Sequence, residues 1–335
     1  MATRVSIIGD GAMGTTCAIM LAENGCDVRM WSAFRDAAAE LARTRENRRF
    51  LPGVRLPESV AVTGDDAEAL GGCDLAVCAV PTQFIRRVWR RLAPACPTDL
   101  PVCSVAKGIE RESLLRPTQI LRDVLDADRS DRPLAALSGP SIAPEVVRRQ
   151  PATVVVASEH ADLAERVQCL FMRPYFRVYT NPDLTGVELA GATKNVIAIA
   201  AGILDGLEAG DNAKAALLTR GLVEITRLGV ALGARAETFA GLAGVGDLVT
   251  TCICPVGRNR SFGESIGRGK TRAEALGATE SVVEGVDTTV SVLGLAERAG
   301  VEMPITRAVH DVLFAGTPPV TAIHDLMTRP MKAEA

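Results

Sequence analysis

The strongest constraint on the chain lies near its start. A short apolar run at 5–8 enters Gly9-Asp10-Gly11-Ala12-Met13-Gly14, and a helical pattern opens near Met13. The pattern G-x-G-x-x-G is weak alone. Between a strand and a helix it describes a turn that holds a dinucleotide. Gly9 permits the tight turn, Gly11 lets the backbone approach a pyrophosphate, and Gly14 lets helix and sheet pack closely. The free N–H groups at the helix start then face the phosphates.

A chain that begins this way should continue as alternating strands and helices. Candidate strands lie at 5–9, 28–31, 60–63, 75–80, 102–106, 134–138, 153–157 and 177–180, with helical patterns at 13–24, 35–45, 82–92 and 161–172. Several of the strands are nearly all apolar, as in sheets covered on both faces. The expectation is an α/β fold with a doubly wound, parallel, Rossmann-like sheet. After Asn181-Pro182 the strand signals stop, and helical stretches follow at 186–207, 212–232, 283–299 and 305–314. Two domains are expected: residues 1–181 binding the dinucleotide, and an all-α domain at 182–335 carrying substrate and catalysis. The length of 335 residues agrees, since one domain usually takes ~150.

Composition narrows the partners. A net charge of −3 argues against a nucleic-acid surface. No uninterrupted apolar run reaches the ~18 residues of a membrane span. The N-terminus lacks the apolar core of a signal peptide. The nine cysteines show no disulfide framework, which suits reduced thiols and a cytoplasmic location. Cys252 and Cys254 have no second ligand pair nearby, so no metal is expected.

Five of the 37 basic residues are lysines, and there are three histidines. A lysine kept in an apolar setting can trade a proton, which arginine cannot. Lys107, in Ser104-Val-Ala-Lys107-Gly108, falls at the carboxyl end of a buried strand, where α/β sheets hold ligands. Lys194-Asn195 sits within a helix of small apolar residues, where burial would lower the lysine pKa toward usable acid–base chemistry. Asp247, in Gly244-Val-Gly246-Asp247, is a candidate partner for a buried lysine. Arg258-Asn259 precedes a short helix, and the pair with that helix start suits a phosphate dianion.

The second strand ends Trp31-Ser32-Ala33-Phe34-Arg35. NAD-selective sites usually place an acid there on the ribose 2′-hydroxyl. With Ser32 in that place and Arg35 within reach of a 2′-phosphate, NADPH is expected to be accepted at least as well as NADH.

These segments, in order and spacing, resemble the soluble bacterial NAD(P)-dependent glycerol-3-phosphate dehydrogenases. The matches include Gly9–Gly14, F-L-P-G-V from Phe50, V-A-K-G-I-E around Lys107, S-G-P-S at 138–141, G-A-T-K-N-V-I-A-I around Lys194, G-V-G-D-L-V-T-T-C around Asp247 and G-R-N-R-S-F-G from Gly257. The resemblance implies interconversion of dihydroxyacetone phosphate and sn-glycerol 3-phosphate with NADPH or NADH, feeding phospholipid synthesis. It implies Lys194 as proton donor and acceptor, with Lys107, Asp247 and Asn195 completing the catalytic set. Substrate would touch Lys107, Gly139, Ser141, Lys194, Asp247, Thr251, Gly257, Arg258 and Asn259. Cofactor would touch Gly9, Gly11, Ala12, Met13, Gly14, Arg35, Phe50, Lys107, Ala143, Arg258, Val282 and Glu284. A homodimer is compatible with it.

The chain departs from the family pattern at Met13, usually aromatic, and at Ala33-Phe34, where a basic residue is common. It also departs at Ile142 and Pro144, and at Gly257, usually serine. Loss of that serine hydroxyl removes one possible phosphate contact, though the Gly257 backbone N–H remains. Two other readings share many of these features: a two-domain hydroxy-acid or hydroxyacyl dehydrogenase, and an NADPH-binding sensor without catalysis. Hydroxyacyl-type chemistry would be expected to use a His–Glu pair, and the histidines lie outside the segments above.

Overall fold

The computed structural model describes residues 2–126, 131–331 and 333. Its centre is an eight-stranded sheet. The strands are β1 (Arg4–Ile8), β2 (Asp27–Trp31), β3 (Ala61–Thr63), β4 (Leu75–Cys78), β5 (Val102–Ser104), β6 (Leu134–Ser138), β7 (Ala152–Ser158) and β8 (Phe176–Asn181), in the order β3-β2-β1-β4-β5-β6-β7-β8. Side chains alternate between faces. Val5 and Ile7 enter one apolar core with Val28, Val77 and Val156, while Ile8 enters another with Trp31, Val80 and Trp89. Every residue of β4, β5 and β6 is buried. At the β8 edge, Arg177 and Tyr179 face outward.

The sheet is not parallel throughout, contrary to the expectation from sequence. β7 runs antiparallel to β6, with Ala136 opposite Ala157, and β8 is parallel to β7. The β6–β7 connection holds the five-residue helix Ala143–Val147. Such a helix spans about 7 Å, too short to carry the chain back along a strand of about 17 Å. The chain therefore returns antiparallel, leaving the 139–141 turn at the carboxyl end of β6.

Beyond β8 the chain enters the helix Leu184–Gly206. The Asp183 carboxylate caps it, accepting from Gly186 N at 2.8 Å, and also takes the Thr238 hydroxyl at 2.6 Å. This helix is long and apolar enough to cross a membrane by length and hydropathy alone, but its apolar window is wholly buried. It is buried nearly all round, as a core helix must be, and packs on β6, β7 and several helices.

Its tightest partner is the helix Arg258–Gly267. A Cβ on Gly202 would lie 1.9 Å from the Arg260 carbonyl oxygen, and one on Gly263 would lie 2.1 Å from the Ile199 carbonyl oxygen. Backbone therefore meets backbone, and an alanine at either position would force the helices apart. The close crossing presses the start of the second helix against Lys194-Asn195.

Candidate active site

The glycine turn has one open face. Gly9 has φ +118°, and a Cβ there would approach the Ala79 carbonyl oxygen to 2.8 Å. A Cβ on Gly14 would lie 2.1 Å from the Gly9 carbonyl oxygen, whereas one on Gly11 would meet nothing within 4 Å. Two glycines thus close the turn against the sheet, and the third leaves space before the helix Ala12–Glu23. Buried Asn47 ties the next segment to this turn. Its Nδ2 donates to Asp10 O at 2.6 Å and to Thr15 Oγ1 at 2.8 Å, and its Oδ1 accepts from Phe50 N at 3.2 Å. Phe50 is thereby held near the turn, with half-buried Met13 on the first turn of the helix. Arg35 starts the helix Arg35–Thr44 with its side chain four-fifths exposed, 4.0 Å from Asp65. Asp10 Oδ2 accepts from Ser32 Oγ at 2.7 Å, placing a carboxylate at the end of β2.

A second group forms where β5 and β6 end. Lys107 lies just past β5. Its Nζ donates to Asp247 Oδ2 at 2.6 Å and to Gly139 O at 3.0 Å. Lys194 projects from the middle of its helix and donates to Asp247 Oδ1 at 2.5 Å and Thr251 Oγ1 at 2.5 Å. Asp247 and Thr251 sit on the helix Asp247–Ile253, entered through a π turn at Leu242–Gly246. Such turns often mark functional sites. One buried carboxylate is thus shared by two ammonium groups.

The close packing has electrostatic consequences. The Lys194 pKa is pushed down to about 8, chiefly by burial, with Asp247 opposing the shift and Lys107 adding to it. Burial alone would raise the Asp247 pKa, but the Lys107 and Lys194 ammonium groups outweigh it and the net shift is downward. Asp247 therefore stays ionised while Lys194 is poised to exchange a proton near neutrality.

Asparagines join this cluster to the third group. Asn195 Nδ2 donates to Lys107 O at 2.8 Å, and Asn259 Nδ2 donates to Asn195 Oδ1 at 2.9 Å. Asn259 Oδ1 accepts from Gly285 N at 3.0 Å. Arg258 Nη1 donates to Val282 O at 3.1 Å, and the Glu284 carboxylate accepts from Thr82 N at 3.0 Å and Thr82 Oγ1 at 3.2 Å. The 282–284 segment is thereby fixed over the end of β4. In the turn after β6, Gly139 has φ +128° and Ser141 Oγ donates to Gly139 O at 3.0 Å, with buried Ala143 opening the following helix.

Most of the residues singled out by sequence meet in this network. Lys107, Gly139, Ser141, Lys194, Asn195, Asp247, Thr251 and Asn259 form one hydrogen-bonded chain, with Arg258, Val282 and Glu284 beside it. The Gly9–Gly14 turn, Phe50 and Arg35 stand at the ends of β1 and β2. One expectation fails: the Gly257 backbone N–H is not left over for an anion, because it donates to Cys254 O at 3.1 Å in closing the turn before the helix. Thr82, Asn47 and the Asp10–Ser32 pair were not anticipated. Their partners lie far away in sequence, and only the Asn at 47 near F-L-P-G-V offered a local hint.

Known proteins resemble the chain over nearly its whole length. Residues 4–164 match the family described as NAD-dependent glycerol-3-phosphate dehydrogenase N-terminus, and 183–324 match its C-terminus. Glycerol-3-phosphate dehydrogenase [NAD(P)+] of Geobacter sp. (strain M21) is 49% identical over 334 residues, covering 100% of this chain and 99% of that protein. The Pelotomaculum thermopropionicum protein of the same name is 50% identical over 329 residues, covering 98% and 94%. The crystal structure of glycerol-3-phosphate dehydrogenase from Coxiella burnetii superposes with a TM-score of 0.93 at 37% identity, covering 98% of this chain and 99% of that one.

Proposed function

The chain belongs to the NAD-dependent glycerol-3-phosphate dehydrogenase family, and from that premise we propose that it interconverts dihydroxyacetone phosphate and sn-glycerol 3-phosphate with Lys194 carrying the proton. The observation that carries the proton assignment is a buried lysine bonded at once to Asp247 and Thr251, with a pKa near 8. The dinucleotide fits the turn at Gly11, where a side chain would fill the only open face.

When bound, the reduced nicotinamide supplies the hydride that the ketone carbon accepts. Negative charge then develops on the carbonyl oxygen. The Lys194 ammonium stabilises that charge and gives its proton to the oxygen, becoming neutral. In the oxidative direction neutral Lys194 takes the hydroxyl proton as the hydride leaves carbon. Asp247 holds Lys194 in line, and Lys107 occupies its other oxygen so that the carboxylate does not take the proton itself. The three groups titrate as a unit. Arg258 and the start of its helix grip the phosphate, and Asn195 and Asn259 fix that grip relative to Lys194. Holding both ends of a three-carbon substrate aligns its carbonyl with Lys194.

In this reading residues 1–181 bind the dinucleotide. Residues 182–335 supply the catalytic lysine and the phosphate grip, and Lys107 with the 139–141 turn reaches across from the first part. A cytoplasmic, homodimeric enzyme supplying the backbone of glycerophospholipids follows from the family resemblance. The related hydroxy-acid enzymes are less well supported, since the relatives matched over nearly the whole chain carry the glycerol-3-phosphate dehydrogenase name. The test is the loss of reduced-nicotinamide absorbance when dihydroxyacetone phosphate is added. Consumption that depends on this ketone supports the reading, and tight coenzyme binding without consumption overturns it.

A further inference from the structure

The end of β2 is where enzymes of this sheet type read the adenosine ribose, through an acid that follows the strand. Here buried Ser32 follows β2, and the acid comes instead from the glycine turn. Asp10 Oδ2 accepts from Ser32 Oγ at 2.7 Å, and Ser32 N donates to Thr63 O at 3.0 Å. The Asn47 amide donates to the Asp10 carbonyl oxygen at 2.6 Å, so the residue is held through its backbone as well as through its carboxylate. Among the described residues nothing donates to Asp10 Oδ1, which leaves one acceptor for a ligand.

The surrounding charges do not favour an added phosphate. Arg35 lies 4.0 Å from Asp65. Arg91 stacks 5.0 Å over Trp31, donates to Ala33 O at 2.9 Å and is paired with Asp66 at 2.7 and 2.8 Å. Trp31 Nε1 also donates to Asp66, at 3.0 Å. Arg91 is thus committed to Asp66, Arg35 is exposed with Asp65 at the limit of ion-pair distance, and among the described residues no cation pairs with the Asp10 carboxylate.

We propose that Asp10 reads the ribose 2′ position of the dinucleotide and makes this enzyme select NADH over NADPH. A 2′-hydroxyl donates a hydrogen bond to Oδ1. A 2′-phosphate dianion offers no such proton and meets a like charge that cannot withdraw. This reverses the expectation drawn from Ser32 and Arg35, which did not count an acid arriving from the glycine turn after β1. The inference rests on the dinucleotide assignment above.

The test compares kcat/KM for NADH and NADPH with dihydroxyacetone phosphate, in the wild type and in Asp10→Asn. It is joined by calorimetric binding of 5′-AMP and of 2′,5′-ADP to both. The wild type is expected to favour NADH and 5′-AMP by at least about tenfold. Asp10→Asn should erase most of that preference, chiefly through tighter binding of 2′,5′-ADP. A wild type that favours NADPH, or a variant whose preference stays within twofold of wild type, overturns the proposal. Asp10→Ser removes the same charge with a smaller side chain, so a misfolded asparagine variant leaves the test standing. If neither coenzyme turns over, the reaction assignment fails, while the 5′-AMP and 2′,5′-ADP pair still decides the role of Asp10.

Discussion

Lys194 and Arg35 are both cations that stand out in the sequence as candidates for ligand chemistry, and the fold places them in opposite surroundings. Lys194 is 5% exposed, wrapped by its own helix, and bonded to a carboxylate that is 2% exposed. The Arg35 side chain is 80% exposed and its nearest carboxylate is 4.0 Å away. In the first place charges interact through a poorly screening interior, so each neighbour moves the proton affinity of the next. In the second, water and salt screen the pair, and such pairs contribute ~0–1 kcal/mol. A polar residue promises chemistry when the fold removes it from water and supplies its partners.

Substitutions can break that contrast. Lys194→Ala should lower kcat by at least about a thousandfold, since it removes both the general acid and the charge on the developing oxyanion. Coenzyme binding, followed by nicotinamide fluorescence, should persist. Turnover within tenfold of wild type would take the acid–base role away from Lys194. Arg258→Ala is a middle case, because this side chain is exposed yet held by one bond to Val282 O. It should raise KM for dihydroxyacetone phosphate by roughly ten- to a hundredfold, the worth of a charged hydrogen bond. A KM that does not move would place the phosphate grip elsewhere. Arg35→Ala should change KM for either coenzyme by less than about twofold. A larger rise for NADPH alone would show that Arg35 leaves Asp65 to hold a 2′-phosphate, and would erase the contrast.

The same contrast explains what could be read in the sequence. The eight strands and the long helices announce themselves through local patterns, and so does the Gly9–Gly14 turn, because strand, turn and helix are contiguous. Lys194-Asn195 is legible because a charge within small apolar residues has no surface explanation, and Asp247 follows as the acid in a similar setting. The reversal of β7 depends on how far a single helical turn can carry the chain, and Ala143–Val147 gives no plain helical signal. Asp10 reads as a variable position of the motif until Ser32 is folded against it, and Thr82 as an ordinary helix start until Glu284 arrives. The Gly257 N–H was expected to be free because a backbone group does not reveal from sequence that Cys254 has taken it. In each case the missing information is a contact between segments that carry no mark of each other.

The central claim is that burial makes Lys194 a proton carrier near neutral pH, and the pH dependence of kcat/KM in the two directions, which reports the free enzyme, tests it most directly. Ketone reduction needs the ammonium, so its kcat/KM should fall as pH rises through about 8. Oxidation of sn-glycerol 3-phosphate needs the neutral amine, so its kcat/KM should rise through the same region. Both inflections should vanish in the residual activity of Lys194→Ala. Inflections near 10.5, the ordinary lysine value, or profiles that the substitution leaves intact, would contradict the account.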